Sequence, residues 1–202
     1  MPKFSYFIIK SPAEGLYKEK GSKFLAFAYP VESDEEVKQR LSELRKSYYD
    51  ARHHCYAYVL GLQSEKFKAV DDGEPNHSAG DPILGQIRSR NLTNVLVIVV
   101  RYFGGVKLGV GGLVQAYKTS AADALTKAEI VELEVMELIS LEYDYSATPE
   151  VMRLVKEFEI VILHQEFNEG CRMNLQLKLR LAKAFQEKLD LLKALGVKVK
   201  RI

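Results

Sequence analysis

Cysteine is scarce in this chain, with only Cys55 and Cys171 among 202 residues. Two thiols so far apart make no disulfide framework and suit a reducing compartment. Long apolar runs are missing as well, since nothing approaches the roughly 18 residues of a membrane span. Phe4 to Ile9 is too short and too alternating for a signal peptide, and no small-residue cleavage site follows it. A cytoplasmic location away from membranes is therefore expected. The chain also lacks charge of one sign: its formal net charge is +2, and the halves on either side of Val131 differ too little to assign a role to either. Any basic patch must be local. Several named motifs are absent. No CxxC or HxxxH spacing supplies a zinc site and no GxSxG elbow supplies a nucleophile. A Walker loop fails because Val110 follows Gly109, and GxGxxG fails because Val114 stands where the third glycine belongs.

What is present begins with an ordinary composition, 47% apolar and 28% charged, able to bury a core. The length suits two small domains or one large one. The organising stretch is Asn94 to Thr126. Val95 to Val100 is an unbroken apolar, β-branched run, which predicts a strand covered on both faces. Gly104, Gly105, Gly109, Gly111 and Gly112 follow, and from Leu113 the apolar spacing turns helical. Such a junction delivers backbone N–H groups at a helix N-terminus, where an anion is favoured. No Asp or Glu lies between Asp81 and Asp123, while Arg88, Arg90, Arg101, Lys107 and Lys118 do. That balance suits a phosphate-bearing partner. The competing account is a tight crossover with helix-on-sheet packing and solvated basic side chains. Short glycine motifs being weak, the residues alone favour packing.

Two further groups carry candidate chemistry. His53 to Leu60 reads as a strand, with His53 and Cys55 sharing a face. A metal there would need two more ligands, for which Asp71, Asp72 and Glu74 are candidates. Hydrogen-bonding histidines are the commoner outcome. Asp71-Asp72-Gly73-Glu74-Pro75 is a turn by composition. Its carboxylates could serve as acid and base, hold a divalent ion, or pair with Arg101 and Lys107; the last is favoured by the acid-free basic stretch that follows. A solvated turn without function is the bland reading. His77-Ser78 beside an aspartate hints at hydrolase chemistry, but neighbours rarely build a triad.

The remaining elements are coarse. Phe7 to Lys10, Leu16 to Glu19 and Lys23 to Val31 predict strands, and Ser33 caps a helix carrying Val37, Leu41 and Leu44. Pro82 to Arg90 predicts a helix capped by Asp81. After Lys127 periodicity fades, which sets a domain boundary near Val131, giving domains 1–131 and 132–202. The second half reads βαββαβ. Its strands are Val135 to Tyr145, Ile160 to Phe167, Arg172 to Leu181 and Val197 to Ile202. One helix from Thr148 turns Met152, Val155 and Phe158 inward, and the other runs from Ala182 to Leu195. The hairpin turns through Asn168-Glu169-Gly170. The polar face Asn174, Gln176, Lys178 and Arg180 lacks an RNP-type aromatic pair, which favours protein or domain contact there over RNA.

Asp71 to Pro75, Ser78-Ala79-Gly80 and Arg101-Tyr102-Phe103-Gly104-Gly105-Val106-Lys107-Leu108-Gly109 together resemble the signature of the YigZ and IMPACT family, and the resemblance covers the whole chain. It implies an α+β protein of two domains. The first would be like the second domain of ribosomal protein S-five, and the second ferredoxin-like, similar to the last domain of elongation factor G. It further implies a place in translation control, since eukaryotic relatives compete for the activator of an amino-acid-starvation kinase. For bacterial members, nucleic-acid or ribosome binding is suggested from the fold. Three departures from the pattern usual in bacterial members stand out: His77-Ser78 in place of Gly-Thr, Gln115 in place of Arg, and Lys118 in place of Gly. Positions 115 and 118 being one helical turn apart, the positive charge is expected to have moved along one face.

Three classes of function follow. The favoured one is a nonenzymatic modulator of translation or stress response that binds a protein, RNA or ribosomal partner. The alternatives are a phosphate- or nucleotide-handling enzyme, by fold analogy, and a hydrolase using the DDGE carboxylates. The expected partner-binding residues are Lys23, Arg101, Tyr102, Phe103, Gly104, Gly105, Lys107, Gly109, Gly111, Gly112 and Lys118. His53, Cys55, Asp71, Asp72, Glu74 and Ser78 are expected to support the loop. No catalytic residue, metal or cofactor is assigned.

Overall fold

The computed structural model describes residues 3–168 and 170–202; Glu169, in the turn expected of the last hairpin, lies outside them. The protein is α+β, with five α-helices among the described residues. It divides into two compact units, one of Tyr6–Leu133 and the other built on Glu134–Ile202.

The first unit is a five-stranded antiparallel sheet in the order β2 (Ala13–Glu19), β3 (Ser22–Pro30), β6 (Val95–Tyr102), β4 (His53–Leu60), β5 (Lys66–Val70). The apolar run Val95 to Val100 is the central strand and every one of its side chains is buried. Burying each contributes about 1.5–3 kcal/mol, so this strand anchors both faces. On one face Val95, Val97 and Val99 pack beneath α2 (Gly80–Ser89) and α3 (Gly109–Lys127). On the other, Leu96, Ile98 and Val100 meet Val37, Leu41 and Leu44 of α1 (Asp34–Ser47). Ser33 caps α1 as its position suggests, its hydroxyl accepting from the Glu36 N–H at 3.2 Å. A two-stranded ribbon pairs β1 (Ser5–Ile9) with β7 (Ile130–Glu134).

Some sequence expectations fail for identifiable reasons. Lys66–Val70 is a strand, yet its side chains are mostly exposed on the sheet edge, so it carries no apolar pattern to read. Helix α3 begins at Gly109 rather than Leu113. The first turn of a helix needs no i→i−4 N–H bond, so glycines enter it at reduced cost. Asp81 sits inside the first turn of α2, not at its cap. Ile130–Glu134, where periodicity fades, gains its regularity from pairing with β1.

The second unit runs β8 (Met136–Tyr143), α4 (Thr148–Glu157), β9 (Val161–Phe167), β10 (Cys171–Lys178), α5 (Ala182–Ala194), β11 (Val199–Arg201). Its four strands are antiparallel in the order β11-β8-β10-β9. Leu175 and Leu177 point into its core while Asn174 and Gln176 face away. Leu179 to Leu181 leave the strand in a 3-10 turn instead of extending it. Met152 is 39% exposed, because Val151, Leu154, Val155 and Phe158 already fill the inner stripe of α4. Phe4 joins this unit, its carbonyl accepting from the Val135 N–H at 2.8 Å.

Candidate functional site

At the end of the central strand, alternation turns Arg101 toward the face carrying α3. There it is buried, with its Nη1 donating to Glu74 Oε1 at 2.6 Å. The same carboxylate oxygen accepts from Tyr117 Oη of α3 at 2.7 Å. Cys55 of β4 continues the chain, its thiol donating to Tyr117 Oη at 3.3 Å and lying 2.9 Å from the Asp71 carbonyl. Burial pushes both the Cys55 thiol and the Tyr117 phenol well up from their ordinary values. Both stay neutral donors, and the network fixes Glu74 and Arg101 in place. Breaking a buried pair of this kind by removing one member costs about 3–5 kcal/mol.

The DDGE turn supplies each of its carboxylates to a different neighbour. Asp71 reaches the start of α2, accepting from Ala79 N at 2.9 Å and Gly80 N at 2.8 Å through Oδ1, and from His77 N at 2.8 Å through Oδ2. Burial pushes its carboxyl upward, but the N–H groups of Gly80, His77 and Ala79 outweigh that and hold it below the ordinary 3.8. Asp72 accepts from the His54 N–H at 2.7 Å and from Arg45 at 3.0 Å. Its carbonyl meets His53 Nδ1 at 2.9 Å. Lys107 takes no part. Ser78 is buried, its hydroxyl donating to the Pro75 carbonyl at 2.6 Å. Among the described residues no group of three or more His, Cys, Asp or Glu side chains is placed to hold a metal ion.

The glycines divide into two kinds. Gly104 packs against the β2–β3 turn: a Cβ there would lie 2.0 Å from the Gly21 carbonyl carbon, and its N–H donates to Ser22 Oγ at 3.1 Å. Gly105 and Gly109 instead adopt φ of +88° and +71°, with open space where a Cβ would stand. Gly111 has the same open space with no such backbone demand. Helix α3 starts at this end. Its N-cap, Leu108, offers no side-chain acceptor, and its first turn carries no acidic residue. Its leading N–H groups therefore present a partial positive charge.

A cavity of about 720 Å³ lies between these parts. Arg101, Tyr102, Phe103, Lys107, Gly109, His53 and Glu74 line it, whereas Lys23, Gly104, Gly105, Gly111, Gly112 and Lys118 do not. Cys55, Asp71, Asp72 and Ser78 are not part of that lining either. Lys23 is exposed on β3 opposite Tyr102, and Lys118 is exposed on α3. Arg52, Asp50, Val110 and Leu113 also line the cavity and escaped the sequence reading as site residues. The signal for Arg52 lies in register: His53 pairs with Arg101, so the residue before His53 falls opposite Tyr102, the last residue of the central strand. Asp50 accepts from Tyr102 Oη at 2.6 Å, a bond that pushes the Tyr102 phenol up to about 12. The lining thus combines Arg52, Lys107 and a helix start with the apolar surfaces of Phe103, Val110 and Leu113. It can hold an anion attached to an apolar body.

Known proteins share this architecture. A crystal structure described as that of a hypothetical protein superposes with a TM-score of 0.72 at 26% identity, covering 100% of this chain and 98% of that one. In sequence, the chain is 31% identical over 183 residues to the IMPACT family member YvyE of Bacillus subtilis, spanning 91% of this chain and 84% of that protein. It is 28% identical to the IMPACT family member YigZ of Escherichia coli, spanning 92% of each. Similarity to the IMPACT homolog of Dictyostelium discoideum is 37% over 95 residues, covering 45% of this chain and 27% of that protein. The profile of the Impact N-terminal domain matches residues 20–125, a span that includes β3, β6 and most of α3. With that domain filling more than half of its length and bacterial relatives aligning along most of it, the chain belongs to the IMPACT family, alongside YigZ.

Proposed function

We propose that this is a nonenzymatic cytoplasmic binding protein linked to translation regulation or the stress response. It engages an acidic or phosphate-bearing partner, whether RNA, ribosome or protein, at the cavity beside α3. The observation that carries this reading is the uncapped start of α3, which opens on the cavity between Lys107 and Arg52. The link to translation rests on family resemblance. So do the fold names: a first domain, 1–131, like the second domain of ribosomal protein S-five, and a ferredoxin-like second domain, 132–202. The βαββαβ order and the β11-β8-β10-β9 arrangement support the latter name. Hydrolase chemistry on the DDGE turn is less well supported, since Asp71, Asp72 and Glu74 are each engaged by backbone amides, Arg45 or Arg101.

The test is binding as a function of salt. Ribosome co-sedimentation and RNA binding by the full chain should weaken steeply with ionic strength, and Arg52→Ala with Lys107→Ala should flatten that slope by about two ions. Both side chains are exposed, so the double variant is expected to keep its fold. Identical behaviour of the double variant and the wild type toward ribosome, RNA and captured lysate proteins would remove the cavity from the function.

A further inference from the structure

We propose that the cavity takes one particular chemistry, a phosphate monoester carried on a flat ring, with the phosphate against the start of α3 and the ring against Phe103. The proposal rests on the anion-site reading above and narrows it. One observation independent of the helix end points to a ligand there. Arg101 lines the cavity with a side chain only 8% exposed, and while its Nη1 serves Glu74, its Nε has no hydrogen-bond partner. A buried donor without an acceptor is unusual and costly. At the helix end itself, Gly109 lines the cavity and nothing lies within 4 Å of a Cβ built there, so a ligand can approach the amides closely.

Charge and shape set the ligand class. Arg52, Arg101 and Lys107 line the cavity together with Asp50 and Glu74, a formal excess of one positive charge (three minus two) before the helix end is counted. A phosphate monoester brings a charge of roughly −1.5 to −2 and three acceptor oxygens, enough for the leading amides of α3 and for Lys107. Phe103 is 57% exposed although it lines the cavity, and Val110 beside it is 56% exposed. Exposed aromatic faces of this kind stack on bases. The volume of about 720 Å³ lies within the range of small-molecule sites. The ester could be a free mononucleotide or the 5′-terminal nucleotide of an RNA; both present the same group.

Calorimetric titration of the full chain tests this with adenosine 5′-monophosphate, adenosine, inorganic phosphate, and one short oligoribonucleotide with and without a 5′-phosphate. The monophosphate should bind saturably, about tenfold tighter than inorganic phosphate, and adenosine should not bind. Phe103→Ala should erase the advantage of the monophosphate over phosphate, while Lys107→Ala weakens both alike. The 5′-phosphorylated oligonucleotide should bind more tightly than its 5′-hydroxyl twin, and its affinity relative to the monophosphate tells which source the site prefers. If inorganic phosphate binds as well as the monophosphate and Phe103→Ala changes nothing, the ring is wrong and the anion site stands. If none of the small probes binds while Lys107→Ala still weakens ribosome or RNA binding, this inference falls and the broader function survives. Loss of every Lys107-dependent effect would end both.

Discussion

Helices α2 and α3 begin side by side on one face of the same sheet, and their N-termini are finished in opposite ways. At α2 the protein supplies its own anion: the Asp71 carboxylate takes the amides of Ala79 and Gly80, closing the end from outside the helix. At α3 the cap is Leu108, the first turn holds three glycines and no acid, and a cavity lies against it. The same electrostatic demand is met internally in one case and left to an external group in the other. Glu74 and Arg101 join the two ends, because the turn that carries Asp71 also carries the carboxylate that holds the strand arginine beneath the cavity.

The largest effect should follow from breaking that join. Glu74→Ala leaves Arg101 charged and unpaired at 8% side-chain exposure, and chemical denaturation should give a loss of about 3–5 kcal/mol. A loss under about 1 kcal/mol would mean that the two ends are not coupled through this pair. Next comes Gly104→Ala, whose new methyl would meet the backbone of Gly21 and Ser22 at 2.0 and 2.2 Å. A cost of about 3 kcal/mol is expected, at the upper end for overpacking. Gly105→Ala, a neighbour with open space but φ of +88°, should cost only about 1–2 kcal/mol. The ratio of these two measured losses separates the packing glycine from the conformational one.

How much of this contrast the sequence reveals depends on range. The central strand is legible because six successive apolar residues leave no other choice, and α1 because Ser33 and the Val37, Leu41, Leu44 stripe are local. The strand–glycine–helix junction is legible for the same reason. The closure of α2 is not, since its cap stands eight residues before Ala79 and the nearer Asp81 is the stronger local candidate. That a DDGE carboxylate pairs with Arg101 is read from the acid-free basic stretch, but that it is Glu74, 27 residues earlier, and that the pair is buried, only the fold decides. Arg52 and Val110 become site residues only through strand register and the early start of α3. Edge strand β5, with Lys66 to Lys68 exposed, offers no periodicity at all.

The closed end can be tested through pH. Asp71→Asn keeps an acceptor for the amides of Ala79 and Gly80 but removes the charge. At neutral pH this should cost about 1 kcal/mol or less. Because the folded carboxyl lies below its ordinary 3.8, its contribution is complete above the unfolded value and disappears as pH falls through the folded one. Melting temperatures of wild type and variant should therefore differ at pH 7 and converge as pH drops below about 4. A difference that stays constant to pH 2 would show that charge is not what closes α2.

The open end gives the smallest change in stability and the sharpest discrimination. Gly111→Ala adds a methyl group that meets nothing within 4 Å in the first turn of α3, where no left-handed φ opposes it. Replacing a helical glycine with alanine should raise stability by about 0.5–1 kcal/mol. Gly111 does not line the cavity, whereas Gly109 two residues before it does. If the anion is held in the cavity, the added methyl should therefore leave affinity for phosphate-bearing probes unchanged while the melting temperature rises. A fall in affinity would put the ligand outside the cavity, against the exposed backbone at Gly111.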